Sequence, residues 1–596
     1  MKQLMTGNEA IARGAWEAGV TFASAYPGTP STEILENIVN YPEIQAEWAP
    51  NEKVALEAAI GASIAGVRSL ASMKHVGVNV AADPLFTFGY TGVGGGLVLV
   101  SADEPGMHSS QNEQDNRNYA SSAKWALLEP SNSQECRDMT KAAYEISEQF
   151  GVPVLLRTTT RVCHSKSIVT CSEREEFQPI AYQKNAQKHV TVPANARALR
   201  VQLAKRMQAL KAYSETCSFN YIVEGGNIGV VTSGICYHYA REVFGDRATY
   251  LKLGFTNPLP DNLLKQFAQK VDIIYVLEEN DPYLEHWVKS MGIACKGKEI
   301  FPAFGELTPD VLRHALGQGE LPVMEYSRDK IVARPPTLCA GCPHRGFFYE
   351  LGKKKNVVVS GDIGCYTLGF APPYNAMDTA ICMGGAFSVG HGMQKAFDLS
   401  GQNKRVVGVM GDSTFFHTGI NSLIEVLYNN SKTICVILDN RITGMTGHQE
   451  NPGSGKQASG KPAPEMDIAT IVKALGAKHV MEVNPNDLKA VRKALDDALA
   501  LEEASVIITK WPCVLKKMDT AERSAWGNPF TTKYLVNEDL CIGCKACIRS
   551  GCPAISMKEN KKSSIDAPQC VGCSVCAQIC PKQAIGKAPK KEEAGI

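Results

Sequence analysis

The chain has 596 residues, 44% of them apolar and 21% charged, with a formal net charge of +1. At about 150 residues per domain this length calls for roughly four cores. The balanced charge excludes a general pull toward nucleic acid or an anionic membrane surface, and no run approaches the roughly 18 uninterrupted apolar residues of a membrane span. The first ten residues lack a basic-then-apolar export pattern. A cytoplasmic protein is expected, with neither nucleic acid nor membrane as partner.

The segment 1–190 reads as α/β. Thr6 and Glu9 have capping-box spacing ahead of a helical run over 10–18. A short apolar strand over 20–25 enters the turn-rich Tyr26-Pro27-Gly28-Thr29-Pro30, and a helix starts at Ser31. The runs 96–100 and 152–156 have the continuous apolar character of buried parallel strands. Between Cys171 and Ala194 the periodicity fades, as in a linker or irregular crossing. Strand-like runs at 229–233, 250–253 and 272–277 alternate with helical patterns and define a smaller α/β unit over 225–322. After Arg334-Pro335-Pro336 a third α/β unit covers 334–516, with apolar runs at 357–359, 406–409 and 434–438. The last segment, 530–590, has little helical periodicity and is dominated by cysteine. The Lys/Glu-rich stretch 587–593 reads as a solvated terminus.

Twenty cysteines in so long a chain point to metal, because a reducing compartment keeps thiols free. Eight form two blocks, Cys541-x2-Cys544-x2-Cys547-x4-Cys552-Pro553 and Cys570-x2-Cys573-x2-Cys576-x3-Cys580-Pro581. Two-residue gaps let one loop wrap three thiolates round one face of a 4Fe-4S cubane, and in two-cluster ferredoxins the fourth ligand comes from the other block. The expected sets are therefore Cys541, Cys544, Cys547 and Cys580 for one cluster, and Cys570, Cys573, Cys576 and Cys552 for the other. The first block carries one extra residue before its last cysteine, so Ser550 or Gly551 should bulge the loop. Structural zinc usually pairs cysteines two by two, and disulfide frameworks belong to small exported domains. Neither matches a repeated triplet closed by Cys-Pro. Residues 530–590 thus resemble an α+β two-cluster ferredoxin domain, whose work is electron transfer.

In the third unit an apolar run leads into Gly411-Asp412-Ser413, and a second leads into Asp439-Asn440, with Asn440 standing 28 residues after Asp412. Both polar ends follow strands, where open α/β sheets bind their ligands. Gly411 permits a tight turn, Asp412 offers Mg²⁺ a hard anionic oxygen and Asn440 a neutral one. An ordinary Gly-Asp turn with an unrelated Asn turn is the alternative. The pattern resembles the thiamine-diphosphate enzymes, whose signature is Gly-Asp-Gly followed by Asn at a similar distance, with Ser413 in place of the last glycine. The resemblance implies that Gly411, Asp412, Ser413 and Asn440, with the backbone carbonyl of Ile442, hold the diphosphate and its Mg²⁺.

Thiamine chemistry also needs a carboxylate at the N1′ edge of the aminopyrimidine, partly buried so that its proton is shared with the ring. Glu52, in Trp48-Ala49-Pro50-Asn51-Glu52-Lys53 ahead of a small-residue helix, resembles the pyrimidine-domain glutamate of these enzymes. A helix N-terminal acid favoured by the dipole is the plainer reading, and Glu57 and Glu47 are competitors. The segment from Tyr26 to Thr32 resembles the Tyr-Pro-x-Thr-Pro-Ser stretch of 2-oxoacid:ferredoxin oxidoreductases. The polar loop 106–115 suits either a substrate-facing role or simple solvation. Cys339 and Cys342, then Cys365 and Cys513, resemble the ligand set of a third 4Fe-4S cluster beside the cofactor in those enzymes. Buried free thiols or a redox-active Cys-x2-Cys are the alternatives.

The order of parts resembles that of the alpha subunits of indolepyruvate ferredoxin oxidoreductases, over nearly the whole chain. It runs from a pyrimidine domain (1–190) through a small transketolase C-terminal-like α/β domain (225–322) and a diphosphate domain (334–516) to the ferredoxin-type domain (530–590). The resemblance implies an α/β architecture of parallel doubly wound sheets. It also implies oxidative decarboxylation of an arylpyruvate, with coenzyme A as acyl acceptor and ferredoxin as electron acceptor. A smaller beta subunit in a hetero-oligomer such as α2β2 follows from it too. Other 2-oxo acids, or a non-oxidative thiamine decarboxylase, remain the alternatives.

Overall fold

The computed structural model describes residues 1–319, 326–526 and 532–588, which fall into two compact units, Met1–Tyr326 and Ser327–Ile596. The expected domain edges at 320–322, 530–531 and 589–590, and the terminal stretch beyond residue 588, lie outside the described residues.

The first unit is built on a seven-stranded sheet in the order Phe255–Asn257, Ala126–Leu128, Val154–Thr159, Leu97–Asp103, Ser69–Lys74, Phe22–Ala25, Gln45–Trp48. Its strands are parallel except for the antiparallel edge Phe255–Asn257. Leu97–Asp103 and Val154–Thr159 are buried along their whole length, as strands must be when helices cover both faces. Alternate residues divide between the two layers. Leu70, Val98, Val100, Val154 and Leu156 pack with the helices Gly7–Glu17 and Ser133–Phe150. Ala71, Leu97, Leu99 and Leu155 pack against Glu52–Ile64 and Ala82–Thr91. The capping box is formed, with Glu9 N–H donating to Thr6 Oγ1 at 3.1 Å and Thr6 N–H to Glu9 Oε2 at 2.7 Å.

A four-stranded sheet completes this unit, in the order Ile273–Leu277, Ile228–Ser233, Ala248–Leu253, Tyr221–Val223, the last antiparallel. Two features lie outside the sequence reading. The stretch between 190 and 225 holds a 22-residue helix, Pro193–Ser214, which buries only Leu199, Leu203, Leu210 and Ser214. The three-residue strand Phe255–Asn257 leaves the smaller α/β segment to close the edge of the first sheet, so the two segments share a sheet.

The second unit contains a parallel six-stranded sheet, ordered Thr379–Ala380, Val357–Gly361, Arg405–Gly411, Ile434–Asp439, Ser505–Lys510, His479–Val483. Helices His344–Leu351 and Leu488–Ala500 cover one face, and Ala386–Leu399 and Ile420–Tyr428 the other. The cysteine-rich segment is α+β. Tyr534–Val536 pairs with Ile585–Lys587, and Ile555–Met557 with Ser563–Ile565, over a small core of Cys547, Ile555, Ile565 and Ile585. The fold is thus α/β with parallel doubly wound sheets and a C-terminal α+β cysteine-rich segment. No helix among the described residues is long and apolar enough to cross a membrane.

Candidate active site and cysteine centres

In the first unit the polar groups gather at the C-terminal ends of the parallel strands, as expected for this class. Glu52 begins the helix Glu52–Ile64, capped by Asn51, whose side chain accepts from Val54 N–H at 2.9 Å. Glu52 is 6% exposed. A glycine makes room for it, because a Cβ on Gly77 would lie 2.6 Å from Glu52 Cγ and 2.7 Å from Oε1. Glu57 instead pairs with Lys53 on the solvent side, and Glu47 is only half-buried on Gln45–Trp48.

Lys74 ends its strand between this helix and the Tyr26-to-Pro30 turn, and a Cβ on Gly28 would meet its methylenes at 3.1 Å. Burial pulls the Lys74 ammonium below its ordinary range, while Glu104 at 3.7 Å and Glu52 pull it back up. Glu104 accepts from Ser109 N–H at 2.7 Å and from the Ser109 and Ser110 hydroxyls. Glu113 ties the same loop down by accepting from Gly106 N–H at 2.6 Å. The polar loop is therefore folded onto the strand ends and not merely solvated.

In the second unit Asp412 follows the strand Arg405–Gly411 and is 3% exposed. Burial raises its carboxyl, and the neighbouring Asp439 raises it further. Asn451 Nδ2 donates to its Oδ2 at 3.0 Å. Asn440 sits just past Ile434–Asp439 and its Oδ1 accepts from Ile442 N–H at 3.3 Å. Ser413 Oγ accepts from Thr443 at 3.0 Å, joining the two turns. Arg441, between them, has the left-handed φ of +65°, a conformation held only where surroundings impose it. A Cβ on Gly411 would lie 2.7 Å from the Tyr366 ring. Asp362 accepts from the N–H groups of Gly384 and Ala386, both at 2.9 Å, and fixes the start of Ala386–Leu399. A buried carboxylate pressed by Asp439 and partly offset by the Arg441 charge, beside neutral amide oxygens and a helix start, suits Mg²⁺ carrying a diphosphate.

The twelve cysteine ligands expected from the sequence fall into three sets in this unit. Cys541, Cys544, Cys547 and Cys580 line one pocket. Cys552, Cys570, Cys573 and Cys576 line a second. Backbone N–H groups already point at sulfur, Ala584 to Cys580 at 3.3 Å and Ser563 to Cys541 at 3.5 Å. The Ser563 and Gly543 N–H groups hold the Cys541 thiol below its ordinary range. Cys339, Cys342, Cys365 and Cys513 form the third set. Burial pushes the thiol of Cys365 up to about 11, with Cys513 and Cys339 adding to it, and Cys513 in turn feels Cys339. All twenty cysteines are free of disulfides. Among the described residues no group of His, Cys, Asp or Glu is arranged to hold a single metal ion.

Residues 13–217 match the thiamine-diphosphate-binding domain of pyruvate flavodoxin/ferredoxin oxidoreductases. Residues 362–509 match the C-terminal TPP-binding domain of thiamine pyrophosphate enzymes, and 533–581 the 4Fe-4S dicluster domain. The indolepyruvate oxidoreductase subunit IorA of Archaeoglobus fulgidus is 39% identical over 98% of this chain and 98% of its own. That of Methanothermobacter thermautotrophicus is 40% identical over 98% and 97%, and that of Pyrococcus abyssi 38% over 99% and 97%. The chain belongs to the IorA family.

As an IorA-family member it is a subunit of a thiamine-diphosphate-dependent oxidoreductase that carries a 4Fe-4S dicluster domain. Of the residues singled out in the sequence, Glu52 lies in the first matched segment, and Asp412, Asn440 and Cys365 in the second. All eight C-terminal cysteines lie in the third. Sequence reasoning missed Lys74, Glu104, Asp362 and Asn451, because the pairings Lys74–Glu104, Asp362–Gly384 and Asn451–Asp412 join residues distant in sequence. It also missed a local signal. Gly341, Gly543 and Gly572 each precede the second cysteine of a Cys-x-Gly-Cys turn, with φ of +70°, +68° and +85°. The three cysteine sets of this IorA-family chain thus share one loop conformation, which favours glycine.

Proposed function

We propose that this chain, with a smaller beta subunit in a hetero-oligomer such as α2β2, oxidatively decarboxylates an arylpyruvate. Indolepyruvate is the first candidate, since it appears in the names of the relatives. The products would be the aryl-acetyl-CoA and CO₂, and the electron pair would leave through 4Fe-4S clusters to ferredoxin. The free thiols fit work in the reducing cytoplasm.

When bound, thiamine diphosphate supplies the nucleophilic carbon and the electron sink that decarboxylation needs. In the first unit Glu52 would hold and return the aminopyrimidine proton, its burial keeping that proton from water. Lys74, held in place by Glu104, offers a cation at the same strand ends. In the second unit Asp412, Asn440 and the Ile442 carbonyl would hold Mg²⁺, while Gly411 and Ser413 would line the diphosphate. Two cysteine sets, Cys541, Cys544, Cys547 and Cys580, and Cys552, Cys570, Cys573 and Cys576, would each hold a cluster. A third cluster would sit on Cys339, Cys342, Cys365 and Cys513.

The observation that carries the oxidative reading is a main-chain link inside the second unit. Cys513 N–H donates to the carbonyl oxygen of Asn440 at 2.9 Å. On the other side, a Cβ on Gly444 would lie 3.6 Å from Asn440 Nδ2 and 4.0 Å from Cys365 Sγ. The proposed metal turn and the third cysteine set are thus one piece of structure. A non-oxidative decarboxylase has no use for that neighbour.

The test is anaerobic purification with the partner subunit, cofactor analysis, and assay of several 2-oxo acids with coenzyme A and ferredoxin or a viologen dye. Thiamine diphosphate, Mg²⁺ and iron in one preparation, with coenzyme-A-dependent dye reduction fastest on an arylpyruvate, is the expected result. Aldehyde release without dye reduction, or zinc in place of iron, would overturn it.

A further inference from the structure

Deeply buried arginines in this protein are usually matched by carboxylates. Arg117 pairs with Asp115 and Glu278, and Arg157 with Asp103 and Glu129. Arg345 is an exception. It is 1% exposed, yet it donates to the carbonyl oxygens of Leu338, Cys339 (2.7 Å) and Ser550 (3.2 Å) and to the Tyr374 hydroxyl (2.7 Å). All four acceptors are neutral. A guanidinium keeps its proton in any protein, and a buried charge without a counter-ion is strongly disfavoured. Among the described residues no carboxylate pairs with Arg345, so the balancing anion is sought in what flanks it.

Cysteine flanks it on both sides. Leu338 and Cys339, whose carbonyls it binds, open the third cysteine set. On the other side lies the turn ahead of Cys552, and Ala340 and Gly341 line the pocket of Cys552, Cys570, Cys573 and Cys576. The extra residue in the first ferredoxin block now has a structural role. Gly551 takes φ +65° after the turn Cys547–Ser550, which leaves the Ser550 carbonyl accepting from both Arg345 and Tyr374 Oη, the latter at 2.6 Å. A Cβ on Gly551 would lie 2.8 Å from that hydroxyl.

We propose that Arg345, braced by Tyr374 and the Ser550 carbonyl, is a positioning residue that raises the reduction potential of the two clusters on either side of it. These are the cluster on Cys339, Cys342, Cys365 and Cys513 and the one on Cys552, Cys570, Cys573 and Cys576. The inference rests on the reading that these sets hold 4Fe-4S clusters. Thiolate-bound cubanes are anionic and gain charge on reduction, and nearby charge and hydrogen bonds set their potentials. A fixed, dry cation therefore favours the reduced state of both. None of the hydrogen bonds of Arg345 reaches the set of Cys541, Cys544, Cys547 and Cys580.

The experiment is an EPR-monitored redox titration of the anaerobic complex with its partner subunit, for the unsubstituted protein and for Arg345→Met, Arg345→Lys and Tyr374→Phe. Iron and sulfide are measured on each, and the signal of the Cys541-to-Cys580 site is identified by its loss in Cys544→Ser. Arg345→Met should lower both flanking midpoints by roughly 60 mV, a tenfold change in a one-electron equilibrium, and leave the third unmoved. Arg345→Lys and Tyr374→Phe, which keep the charge, should stay near the unsubstituted values. Unmoved midpoints in Arg345→Met, an equal shift of all three, or an equal shift in Arg345→Lys would overturn the inference. If Arg345→Met loses iron, iron retained in Arg345→Lys at unchanged midpoints supports the proposal, and iron lost there overturns it. Iron absent from the unsubstituted protein would refute the cluster reading itself, a separate failure.

Discussion

Gly341 and Val571 are in such close contact that a Cβ on the glycine would overlap Cγ2 of the valine. The two residues belong to Cys-x-Gly-Cys turns more than two hundred positions apart, in the third cysteine set and in the second ferredoxin block. Ala340 and Gly341 also line the cavity of Cys552, Cys570, Cys573 and Cys576. The bare glycine therefore lets one cysteine loop nest against the next.

Gly341→Ala should accordingly be costly twice over. The left-handed φ disfavours alanine by about 1–2 kcal/mol, and the clash adds about 1–3 kcal/mol of overpacking. Val571→Ala in the same chain should recover the second part but not the first. Denaturant unfolding of the four proteins of this cycle measures it, with a coupling of roughly 1–3 kcal/mol expected. Strict additivity would mean that the loops do not touch.

The legible part of the molecule was its local chemistry. Thr6 and Glu9 announce their capping box because both partners lie within one turn, and cysteine spacing shows which thiols one loop can present. Apolar runs such as 152–156 mark themselves as buried strands, here Val154–Thr159. What stayed hidden was set by distant partners. Phe255–Asn257 is three residues long and becomes a strand only because Ala126–Leu128 offers it an edge. Pro193–Ser214 buries one narrow line of side chains, so its sequence lacks a broad apolar stripe. Arg345 reads as an ordinary helix residue until Ser550 and Tyr374 are placed around it.

Gly77 protects the proposed base. A methyl group there would meet Glu52 Cγ and Oε1 at 2.6 and 2.7 Å, so Gly77→Ala must displace the carboxylate. Misplacing a reacting group by about 1 Å can cost roughly 100-fold in rate, and removing a general acid–base group roughly 10²–10⁴-fold. Gly77→Ala and Glu52→Ala should therefore both depress 2-oxo acid decarboxylation, within those ranges, while the visible cluster absorption is unchanged. Full activity in Glu52→Ala would refute its assignment.

Cys513 meets Asn440 through the backbone, which separates two roles that a side-chain contact would entangle. Cys513→Ser should lower the iron content by the share of one cluster, while thiamine diphosphate and Mg²⁺ binding, followed by titration, changes by less than about threefold. Asp412→Ala should do the reverse. It removes the anionic oxygen expected for the metal and should abolish Mg²⁺-dependent cofactor binding with iron retained. Joint loss of iron and cofactor in both variants would argue that the turn is merely structural.

Glu279 offers a test of electrostatics in the first unit. Its carboxyl is buried and is pushed up from an ordinary 4.5 to about 7, chiefly by loss of hydration; Glu306 also raises it, while Leu307 N–H at 3.0 Å, Arg157 and Lys298 pull it down. Tyr239 and Cys236 face it as well. A folded-state value above the unfolded one means that the folded protein binds the proton more tightly. Stability from this group is then complete below about pH 4.5, falls as pH rises, and is lost above about pH 7. One pKa unit corresponds to about 1.4 kcal/mol, so the fall is about 3 kcal/mol at most. Glu279→Gln keeps an acceptor for Leu307 N–H but cannot ionise. Its melting temperature should match the unsubstituted protein near pH 4.5 and exceed it at pH 8. Parallel pH profiles for the two proteins would show that Glu279 is already compensated in the fold.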